Sequence, residues 1–155
     1  MGSGKTVVGG LVAERAHALF FDLDFMIENE AGMAISDIFA TRSEEAFRAI
    51  ESRLLPDVLK PGAVAALGGG TPVPESNWKL IQERSITVYL EASFESIWSR
   101  IRGFSNRPVA AGRTREQLNA LLEERRPRYE EAAHRVDADQ SLDAVAAEVM
   151  NLWSD

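Results

Sequence analysis

Five residues near the N-terminus, Gly2-Ser3-Gly4-Lys5-Thr6, constrain the fold more than any other part of the chain. They occupy the closing positions of the phosphate-loop pattern G-x-x-x-x-G-K-[ST], whose first glycine falls two residues ahead of Met1. Small residues let successive backbone N–H groups point inward, and the helix that follows adds its positive end, so such a loop suits a phosphate. A loop of this kind hangs between a strand and a helix. One more strand, rich in Val, Ile or Leu, is therefore expected ahead of Met1, at the centre of a sheet. The competing reading is an ordinary glycine-rich N-terminus.

The rest of the chain alternates between helix-like and strand-like segments. Residues 5–17 read as a helix and 18–24 as a short buried strand ending in acids. A helix over 25–31 stops at Gly32, and 34–40 read as a short helix with Ser36 as its N-cap. A capping-box pattern from Thr41 to Glu44 opens a helix carrying Phe47, Ile50, Leu54 and Leu55 at helical spacing, which Pro56 weakens or ends. A second strand over 63–67 runs straight into Gly68, Gly69 and Gly70. A helix over 76–83, a strand over 86–90 and a helix over 93–102 follow, and then a long loop. Thr114 and Gln117 form another capping box ahead of a helix through Leu118, Leu121 and Leu122. Residues 134–138 read as a last strand, and Leu142, Val145, Val149 and Leu152 mark the buried stripe of a closing helix. Such alternation implies parallel strands with helical crossovers on both faces, a three-layer α-β-α fold.

At 155 residues and 45% hydrophobic content one domain over 1–155 is enough. No apolar run approaches the roughly 20 residues of a membrane span. The absence of cysteine removes disulfides, thiolate metal sites and cysteine nucleophiles; it fits a reducing compartment, and a cytoplasmic location is expected. A net charge of −7 argues against nucleic acid as a partner. Even so, eight arginines crowd residues 100–128, while the whole chain has only three lysines. The fixed fork of arginine suits a small phosphate or carboxylate ligand. Ion pairs to Glu116, Glu123, Glu124, Glu130 and Glu131 are the alternative account of most of them.

Within the glycine-rich loop, Lys5 is placed to reach a transferring phosphoryl group and Thr6 to ligate magnesium. Asp22 and Asp24 end the first visible strand, and alternation puts both on one side of it. Two carboxylates at such a strand end can divide the work, one organising a metal's water shell and the other accepting a proton from an attacking hydroxyl; turn chemistry is the competing account. Gly68 to Gly70 let backbone come closer to a ligand than any side chain would allow. Arg48 and Glu51 form an i,i+3 pair that says little by itself. His17 and His134 have no partner pattern, which leaves hydrolase and zinc chemistry without support.

In order along the chain, G-S-G-K-T, D-L-D, G-M-A-I-S-D-I-F, E-A-F-R-A-I-E, G-G-G, N-R-P-V-A-A-G and E-R-R-P-R-Y together resemble shikimate kinase, from Met1 to about Asp139. The resemblance implies a nucleoside-monophosphate-kinase-like fold with a five-stranded parallel sheet, substrate-binding helices at about 33–60 and a lid at about 103–116. It implies transfer of the ATP γ-phosphoryl group to the 3-hydroxyl of shikimate, with Mg2+ accompanying ATP, in a monomer. By match, Gly2, Ser3, Gly4, Lys5 and Thr6 resemble the phosphate loop, with Thr6 and Asp22 holding magnesium, Asp22 through water. Asp24 resembles the residue that contacts the substrate hydroxyl and serves as base. Arg48 and Arg125 resemble the pair that clamps the shikimate carboxylate; Glu51 steadies that site, and Gly68, Gly69 and Gly70 line it with backbone. Phe39 and Phe47 resemble its apolar walls. Arg107 matches the lid arginine that meets the phosphates, and Arg100 the residue that stacks on adenine.

Two departures stand out. The lid reads R-P-V-A-A-G where the family more often has R-P-L-L, and residues 137–143 lack the Arg and Pro that often edge the adenine pocket. The rival readings are another small-metabolite kinase on the same fold, such as gluconate kinase, and a non-catalytic nucleotide-binding fragment. Without the leading strand, the chain is expected to be inactive or poorly folded, and a parent that carries it to be active.

Overall fold

The computed structural model describes residues 2–101 and 113–153. Helix α1 (Lys5–Arg15) follows the glycine-rich loop and leads through a turn to strand β1 (Leu19–Asp22). Helices α2 (Leu23–Ala31), α3 (Ile35–Thr41) and α4 (Glu44–Val58) come next, then strand β2 (Ala63–Ala66). Helix α5 (Glu75–Arg84), strand β3 (Val88–Glu91), helix α6 (Phe94–Ile101), helix α7 (Arg115–Glu130), strand β4 (His134–Asp137) and helix α8 (Leu142–Trp153) complete the chain. All four strands expected from the sequence are present.

Local chemistry corrects several boundaries. The expected strand over 18–24 stops at Asp22, because Asp22 caps α2: its Oδ1 accepts from the N–H of Asp24 at 3.0 Å and of Phe25 at 3.3 Å. Asp24 therefore sits in the first turn of a helix, and strand alternation does not set its direction. Ser36 does not cap α3; the N-cap is Ala34, and Glu28 from α2 takes the orphan N–H of Ile35 at 3.0 Å. Thr41 belongs to α3, with its hydroxyl on the Asp37 carbonyl, so Ser43 caps α4 by accepting from Ala46 N–H at 3.2 Å. Pro56 lies inside α4, which continues to Val58. Burial of Leu54, Leu55 and Val58 outweighs the one backbone bond a proline removes there. The Thr114–Gln117 capping box forms in both directions as expected.

The strands form two parallel pairs. β1 pairs with β2 in the register Leu19 to Ala63, and β3 with β4 in the register Val88 to His134. Between the pairs lies a cavity of about 520 Å³. Every residue of β2 lines it, as do Val88, Tyr89 and Leu90 of β3, whereas β1 and β4 contribute none. The unpaired edges of β2 and β3 thus face one another across a slot whose other walls include Val8 and Val12 of α1 and Trp78 and Ile81 of α5. This is where the sequence places an additional central strand. Around it the core divides into a group built on Leu23, Ile27, Ile38, Leu55 and Val58, a second on Ile97, Ile101, Leu118 and Leu122, and a third on Val8, Val12, Val136 and Val145.

Candidate active site

The glycine-rich loop closes on Gly4, which holds φ 91° as the N-cap of α1 and passes its carbonyl to Val8 N–H at 2.9 Å. A left-handed residue without a β-carbon turns the chain so that the N–H groups opening α1 face outward from the helix end. Thr6, in the first turn, donates its hydroxyl to Asp22 Oδ2 at 2.7 Å, which joins the loop to the end of β1. One hydroxyl and one carboxylate are hard oxygen donors of the kind Mg2+ accepts while it keeps most of its water, and the pair fits that ion. Among the described residues no cluster of three acidic, His or Cys side chains offers a dedicated metal cage.

Asp24 stands at the centre of the arrangement. A β-carbon on Gly68 would come to 2.9 Å from Asp24 Oδ1, 3.1 Å from Thr71 Oγ1 and 3.3 Å from Glu51 Oε1, so the loop after β2, the first turn of α2 and the middle of α4 meet at this glycine. Burial pushes the Asp24 carboxyl above the usual carboxylate range; Lys5 pulls it down, and Asp22 and Glu51 add to the rise. Asp24 thus faces both the phosphate loop and the glycine loop.

Arg48 and Glu51 face inward from α4. Glu51 is fully buried, and its two oxygens are separately satisfied: Oε2 by Arg48 Nη1 at 2.7 Å and Oε1 by the Thr71 hydroxyl at 2.6 Å. The i,i+3 spacing that was uninformative in the sequence becomes a buried support for the guanidinium. A second tether runs from Arg48 Nη2 to Glu44 at 3.4 Å. The Arg48 guanidinium sits 5.1 Å from the Phe47 ring centre, and Phe47 packs on Phe39 at 4.9 Å, so the expected apolar walls stand beside the expected cation.

The loop after β2 makes a tight turn, with Thr71 N–H on the Gly68 carbonyl at 3.0 Å. Asn77 of α5 donates to the Thr71 carbonyl at 3.0 Å, and Tyr129 of α7 donates its hydroxyl to the Gly69 carbonyl at 2.6 Å. Arg125 lies against that same hydroxyl. Arg100 reaches the Gly2 carbonyl at 3.3 Å and the Ala138 carbonyl at 2.9 Å, bridging the phosphate loop to the turn after β4. Arg107, and the lid up to residue 112, lie outside the described residues.

The structure therefore gathers Lys5, Thr6, Asp22, Asp24, Arg48, Glu51, Gly68 and Gly70, and brings Arg125 to the same loop through Tyr129. Sequence reasoning missed Thr71, Asn77 and Tyr129 as parts of the site. A signal existed for two of them: Thr71 follows the triple glycine directly, and Tyr129 stands four residues after Arg125, on the same helix face. Among the other arginines of α7, Arg126 pairs with Glu123 and Glu91, and Arg128 pairs with Glu75 and Glu131, which bears out the ion-pair account for those two.

A phosphate loop opening α1, strands in parallel pairs and a carboxylate poised beside the loop define a P-loop kinase of the three-layer α/β class. The shikimate kinase family model matches residues 1–153. The chain is 37% identical to the shikimate kinase of Photobacterium profundum, over 98% of this chain and 89% of that one, and 40% identical to that of Parabacteroides distasonis, over 92% and 86%. Among solved structures, shikimate kinase from Acinetobacter baumannii in complex with shikimate superposes with a TM-score of 0.93 at 32% identity, covering 99% of this chain and 88% of that one. The chain belongs to the shikimate kinase family.

Proposed function

We propose that the chain transfers the γ-phosphoryl group of ATP to the 3-hydroxyl of shikimate. The observation that carries this reading is the convergence of Asp24, the Gly68–Gly70 turn and the buried Arg48–Glu51 pair beside the phosphate loop. An arginine held by a buried carboxylate, next to backbone without side chains, suits a compact ring bearing a carboxylate and hydroxyls. Phosphoryl transfer needs alignment and charge neutralisation more than covalent chemistry, so a cradle, a cation and a base suffice.

In this reading Gly2, Ser3, Gly4 and Lys5 hold the phosphates, and Thr6 and Asp22 would hold Mg2+, which when bound would supply charge neutralisation. Arg48 and Arg125 bind the carboxylate, while Phe39 and Phe47 wall the ring. Asp24 takes the proton of the attacking hydroxyl as its oxygen bonds to the γ-phosphorus. The bond from that phosphorus to the bridging oxygen breaks, and its electron pair leaves with ADP. Arg100 is assigned to the adenine side and Arg107 to the transferring phosphoryl group. A single domain over 1–155, acting as a cytoplasmic monomer, completes the proposal. No helix among the described residues is long and apolar enough to cross a membrane.

The test is ADP release coupled to a spectroscopic readout, with shikimate and gluconate offered separately, on the chain alone and on the chain extended by a strand-forming segment. Turnover that requires shikimate supports the assignment. Turnover with gluconate alone moves it to another small-metabolite kinase, and nucleotide binding without turnover in either form leaves a nucleotide-binding fragment.

A further inference from the structure

The Tyr129 hydroxyl takes no part in the transfer chemistry described above, yet it sits where three parts of the site meet. It donates to the Gly69 carbonyl at 2.6 Å, across sixty residues of sequence, and Arg125 lies against it from one turn earlier on α7. The carbonyl of Gly69 and the N–H of Gly70 belong to one planar trans peptide, so they point in opposite directions. Whatever fixes the carbonyl aims the amide. The Gly70 N–H meets no acceptor among the described residues. On the same residue, the Arg48 guanidinium lies against the α-carbon.

We infer that Tyr129 is a positioning residue: by holding the Gly69 carbonyl it turns the Gly70 N–H toward the bound hydroxy acid, and by its contact with Arg125 it sets the second arginine relative to that amide. The phenol suits the task because it donates to a carbonyl and accepts from a guanidinium at the same time. Burial raises its pKa, so the hydroxyl stays protonated and remains a donor through the neutral range. Its ring packs on Tyr89 of β3 at 5.4 Å, which anchors the hydroxyl to the sheet instead of to the loop it directs. Asn77 on the Thr71 carbonyl and Thr71 on Glu51 hold the far side of the turn, leaving the Gly69–Gly70 peptide dependent on Tyr129.

This inference rests on shikimate as the acceptor. Tyr129→Phe keeps the ring and its packing and removes only the hydroxyl. Calorimetric titration is expected to show shikimate affinity reduced about tenfold, the loss of one such hydrogen bond. MgADP affinity and the thermal midpoint should stay close to those of the parent. The amide resonance of Gly70 in a 1H–15N spectrum should move on shikimate addition in the parent and move much less in the variant. Arg125→Lys combined with Tyr129→Phe should cost less than the sum of the two single losses. Shikimate affinity within twofold of the parent, an equal loss for MgADP, or strict additivity in the double variant overturns the role of Tyr129. Failure of the parent itself to bind shikimate overturns the acceptor assignment beneath it, a separate result.

Discussion

The guanidinium of Arg48 lies on the α-carbon of Gly70. A β-carbon at that position would fall within 2.5 Å of Nη1 and 2.7 Å of Cζ. Arg48 is tethered at the same time to Glu51 and Glu44, so any retreat of the guanidinium shifts it relative to both carboxylates. Neither Gly68 nor Gly70 has a positive φ, so here the glycine is required by proximity and not by backbone conformation.

Gly70→Ala should therefore leave the fold intact and move the cation. The group displaced is the end of a flexible side chain, and the core packing around α4 does not depend on it. Shikimate affinity is expected to fall by at least tenfold, about 1.4 kcal/mol, with nucleotide affinity unchanged. Calorimetric titration of shikimate and of MgADP separates the two effects, and an unaltered shikimate Kd would show that the guanidinium and the glycine do not act as one surface.

Asp24 sets function against stability. Its folded-state pKa is raised by burial, so the folded protein holds the proton more tightly than the unfolded chain does. Its contribution to stability is then present below the ordinary carboxylate pKa and lost as pH rises through the raised value. Asp24→Asn should melt at a higher temperature than the parent at neutral pH, with the difference closing in acid. The same change removes the proposed proton acceptor and should lower kcat by about 10²- to 10⁴-fold. Melting curves across pH and a rate measurement at neutral pH check both halves; a variant less stable than the parent at neutral pH would contradict the electrostatic account.

Glu51 makes the opposite prediction. It is fully buried, and both oxygens are engaged. Glu51→Ala leaves Thr71 without its acceptor and Arg48 with only the longer tether to Glu44, and should cost roughly 3 kcal/mol of stability as well as shikimate affinity. Urea denaturation of the parent and the variant measures it. Equal stability would mean that the pair balances its own desolvation.

The sequence made the layered architecture and the chemistry-bearing positions legible because each carries its own local signal: a glycine nest ahead of an amphipathic helix, acids at a strand end, glycines after an apolar run. Local capping was misread where a distant side chain intervened, as when Glu28 replaced Ser36 at the start of α3. Asp22 and Asp24 do not both end a strand as their alternation suggests, since the cap that Asp22 makes converts a strand end into a helix start. Thr71, Asn77 and Tyr129 draw their importance from hydrogen bonds between segments far apart in the chain. Adjacency to the triple glycine and the four-residue step from Arg125 hint at Thr71 and Tyr129, but no period or spacing marks Asn77.

The slot between the strand pairs yields the last prediction. The edges of β2 and β3 face a common apolar cavity of about 520 Å³, and unpaired parallel edges with apolar walls are both a stability cost and a template for another chain. Joining a segment of about five Val and Ile residues to Met1, through the glycine and spacer residues that complete the phosphate loop, would offer one strand to both edges. Each buried aliphatic side chain contributes about 1.5–3 kcal/mol, so even after the cost of ordering the segment the gain should be several kcal/mol. The thermal midpoint should rise by more than about 10 °C, and nucleotide affinity should rise with it because the loop gains its leading glycine. A control extension with proline at alternate positions fills space but cannot pair, and should do neither. Equal melting of the two extended forms would show that the slot does not accept a strand.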